Sequence, residues 1–177
     1  MLKTDASGEP YTYRTNVANS VHKGIEAYLE FDLLKYINQN SRNGLSIFNS
    51  FGYTDARYTS GEYKGNRVET AVKYVNRTGV TYHDSRFSAT VQMNNTGDAY
   101  GDASNVTSSA DPVAGYIPAY TVFDLSASYK WKCISLKAGV NNIGDQSYFT
   151  RRTDEYPGPG ILPAMGRSLY VGISTKL

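Results

Sequence analysis

The sequence predicts an all-β chain, an antiparallel meander of about eight strands of the kind that crosses a membrane as part of a β-barrel. Three observations predict it. Apolar and polar residues alternate with a period of two through segment after segment, and no window sustains a helical period. The connections, apart from residues 17–22, alternate short and long, as in barrels with tight turns on one side of a membrane and longer loops on the other. Aromatic residues gather near segment ends, at Tyr53 and Tyr58, Tyr74 and Tyr82, Tyr129 and Trp131, and Tyr148 and Phe149. There an amphipathic ring is stable between headgroups and acyl chains.

Eight segments carry the alternation. The first, residues 10–17, puts Tyr11, Tyr13, Thr15 and Val17 on one face. The second, residues 23–35, sets Ile25, Ala27, Leu29, Phe31 and Leu33 against Glu26, Tyr28, Glu30 and Asp32. The third (45–58) and fourth (73–82) alternate poorly, and their faces stay unassigned. The fifth, residues 86–94, opposes Phe87, Ala89, Val91 and Met93 to Ser88, Thr90, Gln92 and Asn94. The sixth, residues 120–132, opposes Phe123, Leu125, Ala127, Tyr129 and Trp131 to Asp124, Ser126, Ser128, Lys130 and Lys132. The seventh, residues 134–141, opposes Ile134, Leu136, Ala138 and Val140 to Ser135, Lys137, Gly139 and Asn141. The eighth closes the chain, with Leu169, Val171, Ile173, Thr175 and Leu177 on one face and Tyr170, Gly172 and Lys176 on the other. Successive side chains of a strand point to opposite faces, so each segment offers one face to an apolar medium and one to water. A soluble sandwich also meets that condition. The second and sixth segments are long enough for a tilted bilayer crossing of about 9–11 residues.

Composition narrows the function classes. The 177 residues, enough for a single domain with a core, carry 18 basic and 16 acidic side chains, a net +2, which argues against nucleic-acid binding by phosphate neutralisation. Cys133 is the lone cysteine and His22 and His83 are the two histidines, so a disulfide framework, a multi-cysteine zinc site and histidine-rich catalysis are poorly supplied. A hydrophobic content of 40%, a mean hydropathy of −0.46 and no run of about 18 apolar residues exclude a helical membrane protein. The 16 Tyr and 16 Gly fit strands and turns. The N-terminus has no apolar stretch of the signal-peptide kind.

Several stretches together resemble one family. They are Val21-His22-Lys23-Gly24-Ile25-Glu26, Phe51-Gly52-Tyr53-Thr54-Asp55-Ala56-Arg57-Tyr58, residues 117–129, Lys137 to Tyr148 with its Val140-Asn141-Asn142-Ile143-Gly144-Asp145 core, and Gly166 to Ile173. In this order they resemble the late-barrel strands of TonB-dependent outer-membrane receptors. The loop Tyr148 to Arg152 with residues 156–163 is similar to the last outer loop of receptors grouped with ferric dicitrate transport. The resemblance implies a whole receptor of roughly 22 strands with a plugged lumen. This chain would be its C-terminal part: residues 1–9 a disordered or partial N-terminus, residues 10–177 a partial barrel, plug domain and signal peptide absent, Met1 an internal start. It also implies a bacterial outer-membrane location and uptake of a ferric chelate driven by the TonB complex through the missing N-terminal part. The other partners implied are the lipid bilayer and the remaining barrel and plug.

Candidate site residues follow. Arg151 and Arg152, adjacent in a long loop, could hold an anionic ferric chelate through charge-assisted bonds. The alternative, which we favour, is that they pair with Asp154 and Glu155 or hold the loop. Glu26, Glu30, Asp124, Lys130 and Lys137 are expected to face a hydrated lumen, with no nucleophile beside them to make a catalytic site. Tyr170, Gly172 and Leu177 belong to the strand expected to close the barrel. Asp98, Asp102 and Asp111 share a loop without calcium-loop spacing and read as solvated carboxylates. No cofactor, metal or catalytic residue is expected. Two other readings remain open: a complete eight-stranded barrel with a structural or adhesive role, and a soluble β-domain that binds a ligand.

Overall fold

Alternation builds the main sheet strand by strand. The computed structural model describes residues 2–4, 7–12, 18–154 and 158–175. Two short strands, β1 (Leu2–Thr4) and β2 (Pro10–Thr12), pair antiparallel with each other. Then come β3 (Ser20–Asp32), α1 (Leu33–Ile37), β4 (Gly44–Tyr58), β5 (Tyr74–His83) and β6 (Phe87–Thr96). A small pair, β7 (Ala99–Tyr100) and β8 (Tyr116–Ile117), precedes β9 (Tyr120–Trp131) and β10 (Ile134–Asn141). The hairpin β11 (Phe149–Thr153) and β12 (Gly160–Pro163) leads to β13 (Ser168–Thr175). The seven long strands form one antiparallel sheet in the order β13-β10-β9-β6-β5-β4-β3, a meander in which each long strand pairs with the next along the chain.

Two boundaries differ from those expected. The first expected segment, residues 10–17, gives only Pro10–Thr12, which pairs with Leu2–Thr4 and not with the meander; residues 13–17 lie outside the described residues. The second segment stops at Asp32. Its carboxylate accepts the Lys35 amide at 3.0 Å, so the chain turns into one helical turn where alternation predicts strand to residue 35. Leu177 and Lys176 also lie outside the described residues.

Register fixes the two faces. One rung crosses all seven strands as Phe31, Ile47, Val80, Val91, Leu125, Val140 and Leu169. The neighbouring rung on the opposite face begins Glu30, Phe48, Gly79, Gln92 and Asp124. Among the described residues nothing covers the apolar face. Val91, in the middle of the sheet, is 51% exposed, and Leu29 is 73% exposed. The buried apolar side chains among the described residues are Ala56, Tyr58, Ala99, Ile117 and Val122, and none belongs to that face. The accessible surface is 12501 Å², where a globular monomer of 19.5 kDa exposes about 8,500 Å². A water-soluble sandwich would bury this face; a bilayer-spanning sheet leaves it bare for hydrocarbon.

Aromatic rings mark both borders of the apolar band. Tyr53 pairs with Tyr74 at one end. At the other, Tyr82 lies 6.3 Å from Phe87, and Phe87 pairs with Tyr129. On the Tyr82 side the strands are joined by α1 with residues 38–43, by residues 84–86 and by residues 132–133. On the Tyr53 side residues 59–73, 97–119 and 142–167 form long loops. The 84–86 turn is pinned by Asp84, which accepts the amides of Arg86 (2.7 Å) and Phe87 (2.8 Å); these N–H groups hold its carboxyl below the usual range.

In the complete protein in a lipid bilayer, Val91→Lys is expected to lower unfolding stability by about 2–4 kcal/mol, because it puts a charge near the middle of the apolar band. Ser126→Lys, on the polar face, should change it by less than about 1 kcal/mol. Urea unfolding from lipid vesicles measures both; equal losses would contradict the assignment of faces.

Candidate functional site

The three long loops fasten to one another beyond the Tyr53 end of the strands. Arg67, in the first, donates Nη1 to Asp98 Oδ2 at 2.7 Å and Nη2 to the Asp98 carbonyl at 2.6 Å, and its guanidinium lies 5.4 Å from the Tyr100 ring centroid. The Arg67 amide donates to Asn105 Oδ1 (2.7 Å), and Asn105 Nδ2 donates back to the Arg67 carbonyl (2.9 Å). Asn66 Nδ2 reaches the carbonyls of Ala103 and Ser104. Tyr58, at the end of β4, donates its hydroxyl to Glu69. The first loop is therefore tied to the second by side chain-to-backbone bonds in both directions, which fixes their relative position better than surface ion pairs do.

Arg152 ties in the third loop. Its Nη1 donates to the Pro112 carbonyl at 3.0 Å and its Nη2 to the Tyr116 carbonyl at 3.4 Å, with the guanidinium 5.5 Å from the Phe149 centroid. Gly101 makes room for it: a Cβ there would sit 3.0 Å from Arg152 Cδ and 2.6 Å from the Val113 carbonyl. The two adjacent arginines thus have different surroundings, since side chains alternate along β11. Arg152 is half-buried and engaged with backbone carbonyls, and Arg151 is exposed.

The base of the third loop is a built turn. Asn142 is 4% exposed and stands at φ 52°, a left-handed conformation that asparagine tolerates. Its Nδ2 donates to the Gln146 carbonyl (3.0 Å), its Oδ1 accepts the Gln146 amide (2.9 Å), and its own amide donates to Asp124 Oδ1 (2.9 Å). Asp124 Oδ2 accepts from Asn94 Nδ2 at 2.6 Å. Asp145 Oδ1 accepts the Arg167 amide at 2.8 Å, which closes the loop onto β13. Tyr148 stacks on Tyr120 at 4.1 Å, and burial, with Tyr120 and Asp124 nearby, pushes its phenol above the ordinary value.

Glu26, Glu30, Asp124, Lys130 and Lys137 all lie on the polar face, but the structure does not bring them together. Glu26 and Glu30 are on β3 at one edge of the sheet, Lys130 and Lys137 on β9 and β10 near the other. Glu30 accepts the Tyr28 hydroxyl at 2.7 Å. Tyr170 and Gly172 of β13 pair with Gly139 and Lys137 on the same face. The three loop aspartates part company. Asp98 binds Arg67, Asp102 Oδ2 accepts the Ser104 amide, and Asp111 Oδ1 accepts the Val113 amide. His22 and His83 sit at opposite ends of the sheet. Among the described residues no three His, Cys, Asp or Glu side chains gather to hold a metal.

Sequence reasoning missed Arg77. It is exposed at the centre of the polar face on β5 and lines three adjoining hollows, shared with Glu26 and Tyr28, with Asn94 and Asp124, and with Glu30 and His83. A period-two count back from His83 through Thr81 and Gly79 would find it, but Asn76 and Thr78 on the apolar side mask the alternation.

Replacing Asn142 with valine removes both side-chain hydrogen bonds to Gln146 at a buried turn and puts a β-branched residue at positive φ. The expected loss is about 3 kcal/mol in the complete protein. Denaturant unfolding measures it, with Asn142→Gly expected to lose less than valine because glycine keeps the backbone geometry. Equal losses would place the cost in the hydrogen bonds alone.

Residues 2–143 match the family described as TonB dependent receptor-like, beta-barrel. Among solved structures, the chain is similar to the ferric citrate transporter FecA in its unliganded form, with a TM-score of 0.76 and 27% identity, covering 86% of this chain and 23% of that one. It is similar in fold to the siderophore receptor PiuA from Acinetobacter baumannii, with a TM-score of 0.65 and 21% identity over 87% of this chain and 21% of that one. It is likewise similar in fold to the copper transporter OprC, with a TM-score of 0.71 and 17% identity over 99% of this chain and 26% of that one. The chain therefore spans about a quarter of the length of the structures it matches. With the bare apolar face, the aromatic borders and the one-sided loops, this match means that the chain belongs to the TonB-dependent receptor family, whose β-barrels sit in the bacterial outer membrane and transport rather than catalyse.

Proposed function

We propose that the full receptor carrying this segment imports a ferric chelate, ferric citrate or a ferric siderophore. The observation that carries this reading is the likeness to the ferric citrate transporter FecA, at 27% identity over 86% of the chain. The segment contributes the seven long strands β3, β4, β5, β6, β9, β10 and β13 to the barrel wall, and three outer loops. The rest of the barrel and a plug come from the remainder of the receptor, and TonB supplies the force through the plug side. In this reading residues 1–9 are a partial N-terminus and residues 10–177 the partial barrel.

Each group has a role in this scheme. Arg151 faces an anionic chelate from the outer loops, where a planar guanidinium can pair two carboxylate oxygens at once. Arg152 is a positioning residue that keeps the second and third loops together. Glu26, Glu30, Asp124, Lys130 and Lys137 line the lumen with Arg77, so that the wall is polar along the path the plug occupies. Tyr170 and Gly172 belong to the strand that closes the barrel on its first strand.

Radiolabelled ferric citrate uptake, in cells whose only route is the full receptor, tests the reading. Arg151→Ala is expected to raise the half-saturating concentration about tenfold, the loss of one charge-assisted contact, with the maximal rate kept. Arg151→Lys should restore part of the affinity. No change in ferric citrate uptake with either variant, in receptor present at normal surface level, would contradict the role of Arg151; absence of ferric chelate uptake by the unaltered receptor would contradict the substrate class.

A further inference from the structure

The outer surface of the sheet changes from apolar to basic within one rung. Ile25 pairs with Tyr53 at the border of the apolar band. The next outward-pointing rungs are Lys23 with Asp55 and Val21 with Arg57. Lys64, on the turn that follows β4, folds back beside them and completes a shallow depression of about 380 Å³. Arg57 builds it: Nη1 donates to the Gly65 carbonyl at 3.0 Å and holds the turn, while Nε pairs with Asp55 Oδ1 at 2.9 Å. That single carboxylate faces three cations and is already taken by one of them. Lys23 and Lys64 are exposed, and among the described residues no ion pair engages either. Glu62 lies on the same turn but does not line the depression.

The height of this cluster identifies its occupant. Lys23 and Asp55 lie two residues beyond the Ile25–Tyr53 rung, about 6–7 Å along the strand and about 5 Å along the membrane normal at ordinary barrel tilt. The headgroup layer on each side of the hydrocarbon is about 5–7 Å thick. The cluster points outward, away from the lumen, on the long-loop side. We infer that it seats the phosphate-bearing headgroup of an outer-leaflet lipid, with Lys23 and Lys64 as phosphate donors and Ile25 and Tyr53 against the start of its acyl chains. The inference rests on the outer-membrane placement and is independent of the imported ligand.

Native mass spectrometry of the purified full receptor in detergent, titrated with lipid A bearing two phosphates, tests it. The double variant Lys23→Gln/Lys64→Gln is expected to weaken lipid binding about thirtyfold at low salt, two lysine–headgroup contacts. Lipid A stripped of phosphate should bind the unaltered receptor equally weakly. The pair Arg86→Gln/Lys132→Gln, at the opposite end of the barrel, should bind as the unaltered receptor does. Unchanged lipid affinity in the first double variant, with its thermal unfolding unaltered, would overturn the proposal. So would displacement of the lipid by excess inorganic phosphate, which would mark a free-anion site.

Discussion

A peptide group inside hydrocarbon has no water to bond, so every N–H and C=O that crosses the membrane must find a partner in the protein. Between its two edge strands, β3 and β13, the structure meets this constraint with a seven-stranded meander whose long strands pair along most of their length. Pairing consumes the backbone groups and leaves only the side chains free to vary. The period of two then divides them between two media. The rung from Phe31 to Leu169 presents seven apolar side chains to one side, and the rung from Glu30 to Asp124 presents the polar side. In the described meander the irregular connections lie beyond the aromatic borders, where water can solvate them. The loops carry the variable chemistry because the strands cannot.

Where an apolar face must touch lipid, polar side chains on it need internal partners, and two strand pairs, β4 with β5 and β6 with β9, show how. Asn49 Nδ2 donates to Asn76 Oδ1 (2.6 Å) and to Thr78 Oγ1 (2.7 Å), and Asn95 Nδ2 donates to Thr121 Oγ1 (2.6 Å). These residues lie on the otherwise apolar side, and their mutual bonds reduce the cost of placing amides there. On the opposite side the Phe48 ring lies over Gly79, whose missing side chain leaves it space. These exchanges explain why the third and fourth segments alternate poorly in sequence. Their polar and apolar residues are swapped in pairs that only the cross-strand register reveals. The fifth, sixth and seventh segments contain no such swaps in their apolar core, and their faces were legible from the residues alone.

The site was legible in part, for related reasons. The Val140 to Asp145 stretch was recognisable because a tight turn needs particular chemistry at particular positions: Asn142 at positive φ and Asp145 capping the far strand. The outer loops were not legible, because their order comes from contacts between segments some 30 to 40 residues apart, such as Arg67 with Asp98 and Arg152 with Pro112. The same distance hid the difference between Arg151 and Arg152. Neighbours in sequence, they alternate sides on β11, and what each meets depends on a loop far upstream. The interlocked loops place a fixed platform at the outer end of the strands, and a fixed platform loses less entropy than a mobile one when it takes up a ligand.

The central claim is that one face of this sheet touches hydrocarbon while the other faces water. Spin labels placed singly at residues 122 to 130 of the full receptor in bilayers test it most directly, by collision with dissolved oxygen, which concentrates in lipid, and with a water-soluble nickel chelate. The account predicts strict alternation. Labels at Phe123, Leu125, Ala127 and Tyr129 meet oxygen, and labels at Asp124, Ser126 and Ser128 do not. Protection of all positions of the first set from both reagents would mean that a layer of protein covers the apolar face, and would contradict the account.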